Sequence, residues 1–222
     1  MSGDRWVTFD CFGTLIDWLT GFRAILAPAA GARTDELISA YHAFERELEV
    51  EKPHRLYRDV LTSGVSQAAA KIGLDLPADD ADLLARRWGE QPLYADTLAS
   101  LDQLRRAGWK IGVLTNCDDD LFAATLVRHP KLTPDMVVTA QQVGSYKPAP
   151  GHFLRFEQQS GVARGNWVHA AVSWFHDVEP AHRMGIARVW VDRDRTGHDS
   201  AIASRVVANM AELPAAIAAI MG

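Results

Sequence analysis

Cysteine is scarce in this chain, and several other signals that would place it in a specialised class are missing with it. Two cysteines, Cys11 and Cys117, in 222 residues cannot build a disulfide framework. No apolar run approaches the ~20 residues of a membrane-spanning helix. Nothing at the start resembles a leader peptide either, because Met1 to Asp4 is short and polar and runs straight into a strand-like segment. The expectation is a cytoplasmic protein with no membrane partner. A basic excess is absent too. Lys and Arg number 23 against 28 Asp and Glu, a formal net charge of -5, which gives no electrostatic case for a nucleic-acid partner. What is there is ordinary: 48% hydrophobic and 23% charged residues, the balance of a globular chain long enough for one large domain or two modest ones.

Short β-rich runs at Trp6 to Phe9, Lys110 to Thr115, Met136 to Thr139, Trp167 to Ala171 and Ala187 to Val191 alternate with helical patterns. Such alternation predicts an α/β fold, with parallel strands joined by helical crossovers. Thr97 to Ala107 is amphipathic and ends at Gly108, Asp118 to Val127 follows an acidic cap, and Gly151 to Ser160 stops at Gly161. "ELPAAIAAIMG" reads as a terminal helix. From Leu19 to about Gly89 the rhythm breaks, and only helical patterns such as "DELISAYHAFERELEVEK" occur. The expected organisation is a Rossmann-like parallel-sheet core of residues 1–16 and 93–222 with an α-helical cap domain, 17–92, inserted after the first strand. The insert would lie as a lid over the carboxyl ends of the strands, where ligands bind in open α/β sheets.

Four strand ends carry candidate chemistry. In "FDCFGTLIDW" Asp10 stands at the tip of the first strand, where a carboxylate can be a nucleophile or simply a turn residue. "VLTNC" puts Thr115 and Asn116 at the next tip. "SYKPAPGHF" holds Lys147 in a proline-stiffened loop, and an ammonium near Asp10 would depress the pKa of that carboxyl. In "AAVSWFHDVEPA" Ser173, Trp174 and Asp177 follow the fourth strand, with Asp177 opening a helix. Trp174 and Phe175 suit either a small apolar pocket or the core. His54, His129, His152, His169, His182 and His198 show no metal-like spacing and read as surface or core residues. "CDDD" at Cys117 to Asp120 reads as helix capping, and the charges of "FERELEVEKPHR" as a solvated helix face.

In order and spacing these motifs, with a helical insert after the first, resemble the haloacid dehalogenase superfamily over nearly the whole chain. The resemblance implies that Asp10 is the nucleophile, that Thr115 and Lys147 orient substrate and carboxylate, and that Asp177 completes the site. Phosphatases of the superfamily share a first motif D-x-D, whose second aspartate protonates the leaving alkoxide. Here that position is Phe12. Losing such general acid–base catalysis costs roughly 10²–10⁴-fold in rate, whereas halide leaves without a proton. Five residues before Asp177, where the phosphatases carry a second acidic residue for Mg²⁺, stands Val172. Both departures point to the L-2-haloacid dehalogenase branch, with its D-x-[YF]-G-T first motif, and to a site with no metal and no cofactor.

The implied reaction is hydrolytic dehalogenation of a small 2-haloacid through an ester on Asp10, with substrate and water as the only partners beyond a possible homodimer. Asp177 would orient or deprotonate the water, and Thr14 and Lys147 would steady the oxyanion. By the same resemblance Asn116 lies near the departing halide, and Ser173 and Thr115 hydrogen-bond the substrate or the carboxylates; Phe12, Trp174 and the small loop residue Cys11 are expected beside the substrate. The arginine by which these dehalogenases grip the substrate carboxylate is missing: Tyr41 or His42 stands near its place, with Arg46 the nearest cation. A related alternative is hydrolysis of azetidine-2-carboxylate, whose protonated ring nitrogen also leaves without a proton donor. An Mg²⁺-dependent phosphatase and a catalytically inactive relative are the remaining alternatives.

Overall fold

The computed structural model describes residues 3–197 and 200–221; His198 lies outside them. β1 (Arg5–Phe9) leads into α1 (Trp18–Ala30), α2 (Thr34–Glu49), α3 (Tyr57–Ile72) and the short α4 (Leu83–Arg86). After α5 (Thr97–Arg106) come β2 (Trp109–Thr115), α6 (Asp119–Arg128), β3 (Met136–Thr139), α7 (Ala140–Val143), α8 (Gly151–Ser160) and β4 (Trp167–Ala171). The chain closes with α9 (Glu179–Arg183), β5 (Ala187–Val191), β6 (Arg205–Val207) and α10 (Leu213–Met221). Among the described residues the strands form one parallel sheet in the order β3-β2-β1-β4-β5-β6. β1 is central, and the connections leave it in opposite directions on its two sides. That reversal opens a crevice at its carboxyl end.

The strands are apolar on both sides because helices cover both faces. Val7, Phe9, Ile111, Val113, Val168 and Ala170 belong to one buried cluster, which runs on without interruption into Phe22, Ile25, Leu37 and Val60 of the inserted helices. Trp6, Leu114, Val138 and Trp167, the alternate positions, belong to a second cluster with Phe153 and Phe156 of α8. The edge strand β6 has no counterpart among the sequence expectations. At three residues with only Val207 buried, it is too short for period-two alternation to register.

Two local features set where the inserted helices stand. Gly13 has φ of 99°, a left-handed conformation open to glycine at little cost, and it turns the chain sharply away from Asp10. Asp118 does not cap its own helix. Its carboxylate accepts the Tyr57 and Arg58 backbone N–H groups at 2.8 and 2.9 Å, so it caps α3, whose own boundary residue Leu56 provides no side-chain cap. Between α2 and α3 contact is close: a Cβ on Gly64 would lie 2.8 Å from Tyr41 Cε2. Alanine ordinarily stabilises a helix over glycine by roughly 1 kcal/mol. Here the sign is expected to reverse, with Gly64→Ala costing ~1–3 kcal/mol in denaturant melts through overpacking against the Tyr41 ring.

Candidate active site

The four strand-end groups converge. Lys147 is 1% exposed, and its three ammonium hydrogens are all used. Nζ donates to Asp10 Oδ1 at 2.8 Å, to Asp177 Oδ1 at 2.7 Å and to the Leu114 carbonyl at 2.9 Å. Thr14 Oγ1 donates to Asp10 Oδ2 at 3.2 Å and itself accepts from Val172 N at 3.0 Å. Asn116 clamps the lysine loop through its amide, with Lys147 N donating to Oδ1 at 2.7 Å and Nδ2 donating to Lys147 O at 3.1 Å. One amide hydrogen of Asn116 is left over.

Asp177 opens no helix. It lies inside a π-turn, Trp174–Val178, that Ser173 caps by accepting the His176 N–H at 3.1 Å, and π-turns of this kind recur at functional sites. The turn drives the carboxylate inward to full burial. Behind it runs a hydrogen-bond chain. Trp167 Nε1 donates to Thr8 Oγ1 at 2.8 Å, Thr8 Oγ1 lies 2.9 Å from His169 Nδ1, and His169 Nε2 lies 3.0 Å from Asp177 Oδ1. The indole can only donate, which leaves the Thr8 hydroxyl hydrogen for His169 Nδ1 and an Nε2–H for Asp177. Asp177 Oδ2 is buried with no hydrogen-bond partner.

Electrostatics divides the two carboxylates. For both, burial is the largest influence and favours the neutral acid. In Asp177 the Lys147 ammonium and the His169 N–H outweigh it and hold the carboxyl well below the usual carboxylate range. Asp10 stays above its ordinary value because burial, helped by the Asp177 charge, outweighs Lys147. The expected depression of Asp10 is thereby corrected: one ammonium is shared by two acids, and the better-partnered acid takes the benefit. The same sharing pushes the Lys147 pKa well up.

A cavity of about 250 Å³ opens on this cluster. Asp10, Lys147 and Asp177 line it, together with Thr115, Asn116, Val172 and Ser173. Phe12 lines it too, its ring 4.4 Å from the Trp88 ring, so an aromatic wall stands where a second aspartate would be. Trp18, Phe22, Tyr57, His42, Glu45, Arg46, Glu49 and His176 complete the lining. Three expected substrate-facing residues are placed elsewhere. The Cys11 side chain is fully buried in the core, and its carbonyl collects the turn N–H groups of Thr14, Leu15 and Ile16. Tyr41 is fully buried between helices and donates to Glu45 Oε1 at 3.0 Å. Trp174 packs on Trp190 at 4.9 Å and donates to Glu179, while Phe175 is 57% exposed. His42 was expected and is present. Glu45, Glu49 and His169 carried no signal beyond helix-face charge and a strand histidine.

The Mg²⁺ of the superfamily's phosphatases does not suit this set of residues. Phe12 and Val172 offer no side-chain oxygen, and Lys147 Nζ stands between the two carboxylates that would flank the ion. Among the described residues no group of three His, Cys, Asp or Glu side chains is arranged to hold a metal, and no helix is long and apolar enough to cross a membrane.

The chain is 28% identical over 160 residues to (S)-2-haloacid dehalogenase 1 of Pseudomonas sp. (strain CBS-3), covering 68% of each chain. It is 29% identical over 113 residues to Phosphatase MT3486 of Mycobacterium tuberculosis (strain CDC 1551 / Oshkosh), covering 49% of this chain and 51% of the relative. The chain thus spans about half the length of that phosphatase. The L-2-haloacid dehalogenase from Xanthobacter autotrophicus with chloropropionic acid covalently bound superposes with a TM-score of 0.81 over 97% of this chain and 98% of its own, at 18% identity. That likeness is one of fold. The family described as haloacid dehalogenase-like hydrolase matches residues 5–169, a stretch that takes in Asp10, Thr115 and Lys147, and the chain belongs to that family.

Proposed function

We propose that this protein is a metal-independent hydrolase that removes halide from a small 2-haloacid through an ester on Asp10. The observation that carries the reading is the Lys147 bridge between Asp10 and Asp177 in a cavity where Phe12 replaces the phosphatases' second aspartate. Asp10 attacks the carbon bearing the halogen. A C–O bond forms, the C–X bond breaks, and halide leaves with the electron pair. Water then adds to the ester carbonyl, the C–O bond to that carbonyl breaks with one water proton passing to the departing alkoxide to give the hydroxy acid, and the second proton is released to solvent as Asp10 returns to its carboxylate. Asp177 is too strongly stabilised as the anion to be a good base, so its part is to orient that water through the unpartnered Oδ2. Thr14 and Lys147 hold the Asp10 oxygens. The helices within 17–92 act as the cap over a core of 1–16 and 93–222. An assay with EDTA present, scoring halide from 2-chloropropionate and phosphate from p-nitrophenyl phosphate, tests the reading; phosphate release that needs added Mg²⁺, without halide, overturns it.

Its pH dependence follows from Asp10, which must be ionised to attack. Activity is therefore lost as pH falls through the Asp10 pKa, and burial puts that value above the ~3.9 of a free aspartate. The acid limb of kcat/KM, which reports the free enzyme, is expected above that reference. A limb at or below it means that Lys147 outweighs burial.

Azetidine-2-carboxylate ring opening is the second reading, favoured by one observation: the cavity that Asp10 lines is also lined by two glutamates, Glu45 and Glu49.

A further inference from the structure

α2 presents His42, Glu45, Arg46 and Glu49 to the cavity, the i, i+3, i+4, i+7 face of one helix. Glu45 is fully engaged. Its Oε1 accepts from the Tyr41 and Tyr57 hydroxyls, and its Oε2 lies 3.0 Å from His42 Nδ1. Glu49 is different. Its side chain is only 10% exposed, it makes no hydrogen bond among the described residues, and the nearest basic group is His176 Nε2 at 4.0 Å. Burial holds His176 below its ordinary pKa and hence neutral near pH 7, so it supplies no compensating charge. A carboxylate nine-tenths buried without a donor is costly unless a cation completes it.

We propose that Glu49, backed by Glu45, is the receptor for a protonated amine on the substrate. The inference rests on the reading of this cavity as the substrate site and narrows it to small amino-bearing acids. Trp18, Phe22 and Tyr57 line the same space, and aromatic faces attract ammonium groups through their ring quadrupoles. Arg46, in the same lining, faces the cavity with the opposite sign and suits the carboxylate of a zwitterion. Burial, with Glu45 next to it, pushes the Glu49 carboxyl well up, and Lys147 and Arg46 offset this only in part. An ammonium in contact reverses that balance. With a strained ring amine the step balances without a proton donor. The Asp10 oxygen bonds to the ring carbon, the C–N bond breaks with its pair on nitrogen, and the ammonium becomes a neutral amine. Water then cleaves the ester and its proton returns to that amine.

The test is calorimetric binding to the full chain carrying Asp10→Asn, with azetidine-2-carboxylate and its carbocyclic counterpart cyclobutanecarboxylate as probes. Azetidine-2-carboxylate is expected to bind at least about tenfold more tightly. Adding Glu49→Gln brings the ratio to about one, and Glu49→Asp retains part of the preference. A ratio near one before Glu49 is changed, or a ratio that Glu49→Gln leaves intact, overturns the proposal. Halide release from 2-chloropropionate by the unaltered protein reports separately on the dehalogenase reading. A preserved ratio without halide sinks that reading and leaves the ammonium receptor standing, and halide with a flat ratio does the reverse.

Discussion

Asp10→Asn is expected to lower halide release on the order of 10⁴-fold or more, because the residue is asked to form the covalent bond and nothing beside it can substitute. The neighbouring groups argue for that size of effect. Thr14, Lys147 and Asn116 are already committed to protein partners, and Cys11, the adjacent nucleophile by sequence, is fully buried with its thiol pushed well up. Folding is expected to be preserved, since an asparagine keeps the shape, its amide oxygen accepts from Lys147, and its NH2 meets the Thr14 hydroxyl as a donor where the carboxylate accepted. Steady-state halide release and a thermal melt, run together, check both parts. Residual turnover above about one part in a hundred means that water is activated directly and no ester forms.

Lys147→Met is expected to unfold more readily by about 3–5 kcal/mol, the usual cost of stranding buried charge, and to lose activity as well. Removing the ammonium leaves Asp10 and Asp177, 8% and 0% exposed, facing one another without a cation between them. The sign of the pH dependence follows. In the parent protein the depressed Asp177 pKa contributes stability above the ordinary carboxylate range and loses it as pH falls towards the folded value. In Lys147→Met both carboxyls are raised instead, so acid now favours the folded state. The gap between the two proteins is expected to narrow from about pH 8 to about pH 5 in urea titrations. Combining Asp10→Asn with Lys147→Met should cost less than the sum of the two single changes, because one of the stranded charges is gone. Additive losses would show that Asp10 and Lys147 do not interact.

Much of this site is legible along the chain because strand tips are local features. An apolar run that ends in Asp10 before Gly13, or in Thr115 and Asn116, declares both its strand and the residue at its end, and in an open parallel sheet those ends share one edge. Lys147 and Asp177 follow by the same logic. Asp177 differs in detail from its expected place, because an acidic residue at the head of a helical stretch has the pattern of a cap, whereas here a π-turn buries it. Asp118 shows the converse, since it does cap a helix, but one that begins about sixty residues earlier in the chain.

Read along the chain alone, the residues already carry the α/β class, the helical stretch after the first strand, the four strand-end groups and the phenylalanine at position 12 where a second aspartate would stand. Each of these is written in periodicity or in residues a few positions apart. Which charges face the cavity is a matter of packing. Glu45 and Glu49 belong to "FERELEVEK", which along the chain is indistinguishable from a solvated helix face with i, i+4 pairs. Whether that face meets water or a cavity depends on how α2 sits against α1 and α3, a matter of packing between separate elements. His169 is likewise one polar residue in a buried strand until its register with Thr8 completes the chain from Trp167 to Asp177. Burial pushes the Glu49 carboxyl up, whereas at Glu45 burial is outweighed by the His42, Tyr57 and Tyr41 contacts; both effects belong to the folded assembly, not to any stretch of residues.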